Sequence, residues 1–280
     1  MTKSEYQLLQ EWEDFMLAQS RSKETVRQYR YALHRLAAET RPAKSLLDIT
    51  EQDVVVFLAT MGKRAAAKNL YLRSFNSFFT WAFERGHIPT NPAEHIHPKA
   101  PTERAPDAFS PEEVGALMTS ARKHRTGERD ALAIQLCYAL GLRRSELCRI
   151  EPDDVDWAGR RVYIRPSKGD KDRWVEMNDI AADALEGLRP WYNGTVIGSL
   201  HPNWFTMLVH RAAVGAGLPV GRRNAHMLRA AFATDLLAQG VPISVVARIL
   251  GHSSIEVTAR YLGVRAADRV DAVARLTVPG

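Results

Sequence analysis

Apolar residues recur at helical spacing through the N-terminal part of the chain. Leu8, Leu9 and Trp12 mark the first apolar stripe, and Phe75 and Phe79 belong to the last one. Positions that repeat at intervals of three and four residues place their side chains on one face of an amphipathic helix. The predicted helices, joined by short loops, cover residues 5–20, 25–39, 51–62 and 64–85. Four such helices predict a small helical bundle.

Capping residues support several of these boundaries. Thr25 is the predicted cap of the second helix, and Thr50 lies at capping distance from Asp53 at the start of the third. Further along, Ser110 precedes Pro111 at the start of another helical segment. Serine accepts hydrogen bonds from the free N–H groups of a first helical turn, and proline suits that turn because it lacks an N–H.

The pattern beyond the bundle mixes helices with two extended segments. Apolar helices are expected over 128–140 and 180–188, and the extended segments over 161–165 and 173–177 are separated by a turn, as in a β-hairpin. The glycine-containing stretch 191–224 gives no assignment.

The domain organisation follows from a break in this pattern. Residues 93–107 contain several prolines and charged residues without helical periodicity, which is typical of a linker between domains. The chain is therefore predicted to be mainly α, with a helical domain over 1–92 and an α+β domain over 108–280 that contains a small antiparallel sheet.

Composition places the chain among ordinary globular proteins. Of its 280 residues, 45% are hydrophobic and 25% are charged, and the net charge of +6 with a pI of about 9.4 fits a nucleic-acid partner. No apolar run has the length of a membrane span, and the N-terminal residues do not resemble a signal peptide. Cys137 and Cys148 are too few for a disulfide framework, so buried thiols in a cytoplasmic protein are expected.

Candidate chemistry is concentrated between residues 225 and 264. His226 and Arg229 are three apart and share a helix face, and His252 and Tyr261 follow two predicted helices later. Guanidinium groups offer paired donors to phosphate oxygens, and imidazole exchanges protons near neutral pH. Taken singly, these residues are also explained as a core histidine, a surface charge and a half-buried aromatic. Together they suit the cleavage of a phosphodiester.

The joint pattern resembles the tyrosine recombinase (phage integrase) family. Leu-Gly-His-Ser-Ser over 250–254, a tyrosine nine residues after its histidine, and His-x-x-Arg at 226–229 match the second half of that family's active site. Gly-Leu-Arg-Arg-Ser-Glu-Leu over 141–147 matches its first arginine motif. Ala230 departs from many relatives, which carry histidine there.

The resemblance implies the site residues. The implied catalytic residues are Arg143, Lys168, His226, Arg229, His252 and Tyr261, with Glu146 as the acidic companion of Arg143. Lys168 matches the family's lysine on the β-hairpin turn, and Lys171 on the same turn stays open as an alternative. An ordinary surface ion pair is the other explanation of Arg143 and Glu146.

The resemblance also implies a reaction. The tyrosine attacks a DNA phosphate and leaves a 3′-phosphotyrosyl link and a free 5′-hydroxyl. That hydroxyl then attacks the phosphotyrosyl link of a partner strand. The arginines and His252 would stabilise the transition-state charge, Lys168 would protonate the leaving oxygen, and His226 would move and position protons. The covalent link conserves the bond energy, so no ATP is required. The sequence also contains no Gly-x-x-x-x-Gly-Lys-Ser/Thr loop and no carboxylate cluster for a two-metal site, so neither a cofactor nor a metal is expected.

The N-terminal bundle resembles the family's SAM-like core-binding domain, which clasps one side of the DNA. Arg64, Lys68 and Tyr71 recur on one face of the fourth helix and are expected to point outward and contact DNA. A solvated helix face is the alternative explanation of the same spacing.

The expected partner is double-stranded DNA with paired recombination sites. The resemblance implies a tetramer on DNA, with the tail after Tyr261 passed between subunits or folded back on its own domain. An accessory or directionality protein is a further expected partner, and the expected location is the cytoplasm, at the nucleoid.

The chain begins directly at the core-binding domain, which favours a compact, Xer-like or simple integrase type. Integration or excision of a mobile element is the favoured task, and resolution of chromosome dimers is the alternative. A type IB topoisomerase-like enzyme and a non-catalytic DNA-binding protein on the same fold are the rivals.

Overall fold

The computed structural model describes residues 3–40, 44–62, 65–97, 107–165, 172–252, 254–259 and 261. The chain divides into two compact units, residues 1–102 and residues 103–280. The division falls inside the stretch that the sequence predicts to be a linker.

The N-terminal unit contains four helices around an aromatic core. The helices are α1 (Lys3–Ala18), α2 (Lys23–Glu39), α3 (Glu51–Thr60) and α4 (Ala65–Glu84). Trp12, Leu33, Phe75, Phe78 and Phe79 are completely buried, and the indole of Trp12 meets the ring of Phe78 edge-on. Edge-to-face packing is a favourable geometry for aromatic pairs.

Two caps illustrate how local sequence fixes the helix ends. Thr50 and Asp53 form a reciprocal capping box at the start of α3, as their spacing predicts. The prediction of Thr25 as the cap of α2 is wrong. Ser22 occupies that position and accepts a hydrogen bond of 3.1 Å from the backbone N–H of Thr25, so the helix begins earlier than expected.

The second unit combines eight helices with a three-stranded sheet within its described residues. The helices before the strands are α5 (Pro111–Ala121), α6 (Gly127–Ala139) and α7 (Arg144–Leu147). The strands are β1 (Val155–Asp156), β2 (Arg161–Ile164) and β3 (Arg173–Glu176). The later helices are α8 (Asp179–Leu188), α9 (Pro202–Gly215), α10 (His226–Ala238), α11 (Ile243–Leu250) and α12 (Ile255–Ala259).

The sheet is antiparallel in the order β1-β2-β3, with Val162 opposite Val175. Both valines are buried in the main core of the unit, to which α5, α6, α8 and α9 also contribute. The helix α6 packs against α5, α8 and α10. The sheet and α10 therefore share one hydrophobic core, which brings the ends of distant segments together.

The stretch that gave no assignment contains α9. His201 caps this helix through its ring Nδ1 and Pro202 occupies the first turn. Phe205, Leu208 and Val209 are buried on its inner face. The helical spacing of these apolar residues is the signal that would have predicted it.

The predicted fold class, mainly α with a small antiparallel sheet, is confirmed. Among the described residues, no helix combines the length and the apolar character that crossing a membrane requires.

Candidate active site

The first turn of α10 carries two of the predicted site residues. His226 is exposed, whereas Arg229, one turn later, is fully buried. The Arg229 guanidinium donates through Nη1 to the carbonyl of Gly141 at 2.8 Å and through Nη2 to the carbonyl of Leu250. Its Nε has no hydrogen-bond partner among the described residues. Arg229 therefore joins the end of α6 to the end of α11.

A buried carboxylate lies beside this arginine. Glu146, in the short helix α7, is 3% exposed. One of its oxygens accepts from the backbone N–H of Arg143 at 2.8 Å, and the other accepts from Nη1 of Arg143, also at 2.8 Å. Nη1 of Arg229 lies 3.5 Å from Glu146. The predicted pairing of Arg143 with Glu146 is thus a partly buried contact that also reaches the second arginine.

A third arginine, which sequence reasoning missed, completes this cluster. Arg173 on β3 donates through Nη1 and Nη2 to the two oxygens of Glu146, each at 3.1 Å. Its Nε donates to the carbonyl of Ile249 at 2.7 Å. A signal was present in the sequence: Arg173 shares a strand face with buried Val175. An arginine on the core-facing side of a strand requires a buried partner.

The segment after α11 places the second histidine and the tyrosine. Gly251 ends α11 in the left-handed conformation, with a φ of 66°. The ring Nδ1 of His252 lies 2.7 Å from the hydroxyl of Thr258, a buried residue in α12. The ring of Tyr261 lies nearly parallel to that of His252, with centroids 6.2 Å apart, and Tyr261 is 8% exposed.

The electrostatics of the cluster reflect burial and mutual repulsion. Burial, with the positive charges of Arg229, Arg143 and Arg173, lowers the pKa of His252 to about 4. Desolvation of its ring, with Arg229 and Arg143, also lowers the pKa of His226, although the residue as a whole is exposed. Both imidazoles are therefore neutral at neutral pH.

The two buried charged groups respond differently to their surroundings. Burial and the neighbouring Arg143 lower the pKa of Arg229 to about 10, so it stays protonated at neutral pH. Burial acts to raise the pKa of Glu146, but the hydrogen bond and charge of Arg173, the backbone N–H of Arg143 and the charge of Arg229 together outweigh it, and the pKa is lowered. The cluster thus holds three guanidinium groups around one ionised carboxylate.

The structure brings five of the six predicted catalytic residues into one neighbourhood. They are Arg143, His226, Arg229, His252 and Tyr261. Lys168 and its alternative Lys171 lie outside the described residues, as does Arg64. In the part of the chain that is described, no group of three His, Cys, Asp or Glu side chains is arranged to hold a metal ion.

The predicted DNA-binding face of α4 is only partly described. Lys68 is half-buried on this helix. The expectation that Tyr71 points outward is wrong: its ring packs near Phe57 and Phe75, and its hydroxyl accepts a 2.6 Å hydrogen bond from Arg35. The helix pattern did not reveal this because one of the rings that Tyr71 contacts, Phe57, belongs to a different helix, α3. DNA contacts by Lys68 and Tyr71 stay predictions.

Comparison with known proteins places both units in one family. Residues 108–267 match the model of the phage integrase family, and residues 9–86 match the N-terminal SAM-like domain of phage integrases. A tyrosine recombinase of Thermosipho africanus is 31% identical over 256 residues, covering 85% of this chain and 88% of that protein.

Two further relatives extend the match. Tyrosine recombinase XerC of Corynebacterium efficiens is 32% identical over 284 residues, covering 92% of this chain and 88% of that protein. A lambda integrase tetramer bound to a Holliday junction shares the fold, with a TM-score of 0.77 and 19% identity over 91% of this chain and 76% of that chain. The chain belongs to the phage integrase family of tyrosine recombinases and is a site-specific recombinase.

Proposed function

We propose that this recombinase cleaves DNA with Tyr261 as the nucleophile and the arginine cluster as the phosphate site. The oxygen of Tyr261 attacks the scissile phosphorus while the bond to the 5′-oxygen breaks, which leaves a 3′-phosphotyrosyl link. The other strand's 5′-hydroxyl then attacks this link and releases the tyrosine. Because Tyr261 is nearly buried, its hydroxyl must become accessible when DNA binds.

The observation that supports this proposal best is convergence on one carboxylate. Arg143 and Arg229 come from segments 86 residues apart, yet both approach Glu146, at 2.8 Å and 3.5 Å. A surface ion pair between Arg143 and Glu146 would not require a second segment of the chain to approach it. Two guanidinium groups held in one place can stabilise the negative charge that develops on the non-bridging oxygens.

The two neutral imidazoles have separate roles in this reaction. His226, neutral at neutral pH, accepts the proton of the Tyr261 hydroxyl and positions the phosphate. Thr258 holds Nδ1 of His252, which leaves Nε2 as the nitrogen that serves a phosphate oxygen. Lys168, with Lys171 as the alternative, protonates the leaving 5′-oxygen.

The assembly follows from the need to exchange strands between two duplexes. We assign the chain a tetramer on paired DNA sites, with its C-terminal tail passed between subunits. A similar lambda integrase forms a tetramer bound to a Holliday junction, which supports the tetramer. The tail, residues 262–280, lies outside the described residues, and an accessory or directionality protein is a further proposed partner. The location proposed is the cytoplasm, at the nucleoid.

Integration or excision of a mobile element is the task proposed first. The relatives named XerC and XerA favour a second candidate, the resolution of chromosome dimers. Footprinting the protein on its own genome separates the two, since sites at the ends of a mobile element support the first and a single chromosomal site supports the second.

The chemistry is tested with Tyr261→Phe and a nicked DNA site that traps the covalent intermediate. The variant should bind the site as the unchanged protein does and form no adduct that survives denaturation, because only the hydroxyl is removed. Tyr192→Phe is the matched control, since the Tyr192 hydroxyl bonds a backbone carbonyl of α8. An adduct from Tyr261→Phe at the normal level would place the nucleophile elsewhere.

A further inference from the structure

Arg173 occupies a position that links three segments of the candidate site. Its Nη atoms take both oxygens of Glu146, and its Nε takes the carbonyl of Ile249 at the end of α11. Its side chain also packs against Gly251: a β-carbon on that glycine would lie 3.0 Å from Arg173. Arg173 is therefore held between the Arg143 motif and the segment that carries His252.

The charges around Glu146 explain why a third arginine is needed. Without Arg173, the Glu146 carboxylate would be neutralised by Arg143 and Arg229 alone. Each of those groups would then share its charge with Glu146 and bind a phosphate more weakly. With Arg173 paired to both oxygens, three positive charges face one negative charge, and net positive charge is left for an anion.

The protonation of Glu146 is consistent with this division of labour. Burial opposes the ionised form of this carboxylate, and the hydrogen bond from Arg173 is the largest influence that restores it, followed by the charge of Arg173. Arg173 itself is only 10% exposed through its side chain and lies on the core-facing side of β3. Its position favours pairing with Glu146 over direct contact with DNA.

We infer that Arg173 is a positioning residue for strand cleavage. It takes up the charge of Glu146 so that Arg143 and Arg229 remain available to the scissile phosphate, and it fixes the Gly251–His252 segment through Ile249. This inference rests on the proposed function of the arginine cluster. The alternative is that Arg173 only stabilises the fold and has no role in cleavage.

The test compares Arg173→Gln on two nicked substrates that differ at the scissile phosphate. One is the ordinary phosphodiester, and the other is a methylphosphonate, in which a methyl group replaces a charged oxygen. Adduct formation on the phosphodiester should slow by about tenfold or more, less than the loss on removing a direct donor. The loss on the neutral methylphosphonate should be much smaller, because less charge develops there. DNA binding should stay near normal, since many other phosphate contacts remain.

Arg161→Gln is the matched control on the neighbouring strand. Arg161 pairs with Asp156 at 2.9 Å, and its side chain is 46% exposed. Exposed ion pairs contribute little, so this variant should cleave both substrates at nearly the normal rate. A loss in Arg161→Gln equal to that in Arg173→Gln would overturn the special role of Arg173.

Arg173→Lys separates charge from shape and also serves if Arg173→Gln does not fold. It keeps the positive charge without the planar fork, so it should recover part of the cleavage rate on the phosphodiester. Equal losses on both substrates, with a lowered melting temperature, would make Arg173 a structural brace and overturn the inference. If the protein without substitutions forms no adduct at all, the proposed function itself is wrong.

Discussion

The two units of the molecule bury polar groups in different ways. In the N-terminal unit the buried side chains of Ser74, Thr40 and Glu5 bond to backbone groups: Ser74 donates to the carbonyl of Leu70, Thr40 donates to the carbonyl of Ala37, and Glu5 accepts from the N–H of Leu46. In the second unit, Glu146 and Arg229 are buried together and bound by segments far apart in the chain.

This difference indicates which part of the molecule gives up stability for function. A buried guanidinium whose Nε is unpartnered among the described residues costs about 1–3 kcal/mol, and buried ion clusters rarely stabilise a fold better than apolar packing. In the N-terminal unit the indole Nε1 of Trp81 is also buried without a partner among the described residues, but that group is neutral. Departures from good packing of this kind are expected at functional sites.

The largest effect on stability is expected in the aromatic core of the N-terminal unit. Phe78→Ala removes a completely buried ring and should lower the unfolding free energy of the N-terminal unit by about 3–5 kcal/mol. Hydrogen exchange of α1 and α4 measures it. Phe83→Ala is the control, because Phe83 is 48% exposed on the same helix and its loss should change stability by less than about 0.5 kcal/mol. Equal effects of the two variants would mean that the aromatic cluster does not carry the stability of this unit.

The second prediction concerns the charged cluster, where we expect a small effect on stability and a large effect on cleavage. Arg229→Met fills a similar volume without the buried charge, so relief of desolvation opposes the loss of the bonds to Gly141 and Leu250. The unfolding free energy should change by less than about 2 kcal/mol, while adduct formation falls by about 10²–10³-fold. Urea unfolding and nicked-site cleavage measure the two effects. Strong unfolding with near-normal cleavage by the folded fraction would make Arg229 structural.

The smallest expected effect is a pH dependence. The folded state holds the pKa of His252 at about 4, below its usual 6.5, so between these values the unfolded chain binds a proton that the folded chain does not. Stability is therefore full above pH 6.5 and declines as the pH falls toward 4. Urea midpoints across this range should decline less steeply in His252→Gln. His210→Gln, an exposed histidine on α9, is the control, and an unchanged slope in His252→Gln would refute the assignment.

Much of the fold was readable from local sequence. Apolar spacing predicted the helices of both units, and Thr50 with Asp53 and Ser110 with Glu113 form the capping boxes their spacing permits. The starts of α3 and α5 depend on hydrogen bonds between residues three apart, so the local sequence suffices to predict them. The placement of α9 was missed because surrounding glycines obscured its apolar spacing.

The candidate site divides along the same line. The sequence predicted which residues carry the chemistry, since the motifs give their identity and their spacing along the chain. Only the tertiary structure decided that Arg229 is buried, that Tyr261 packs beside His252, and that Arg173 shares Glu146 with Arg143. Those properties depend on contacts between segments far apart in the chain, because burial and charge pairing are set by the packing of the whole core and not by any local pattern.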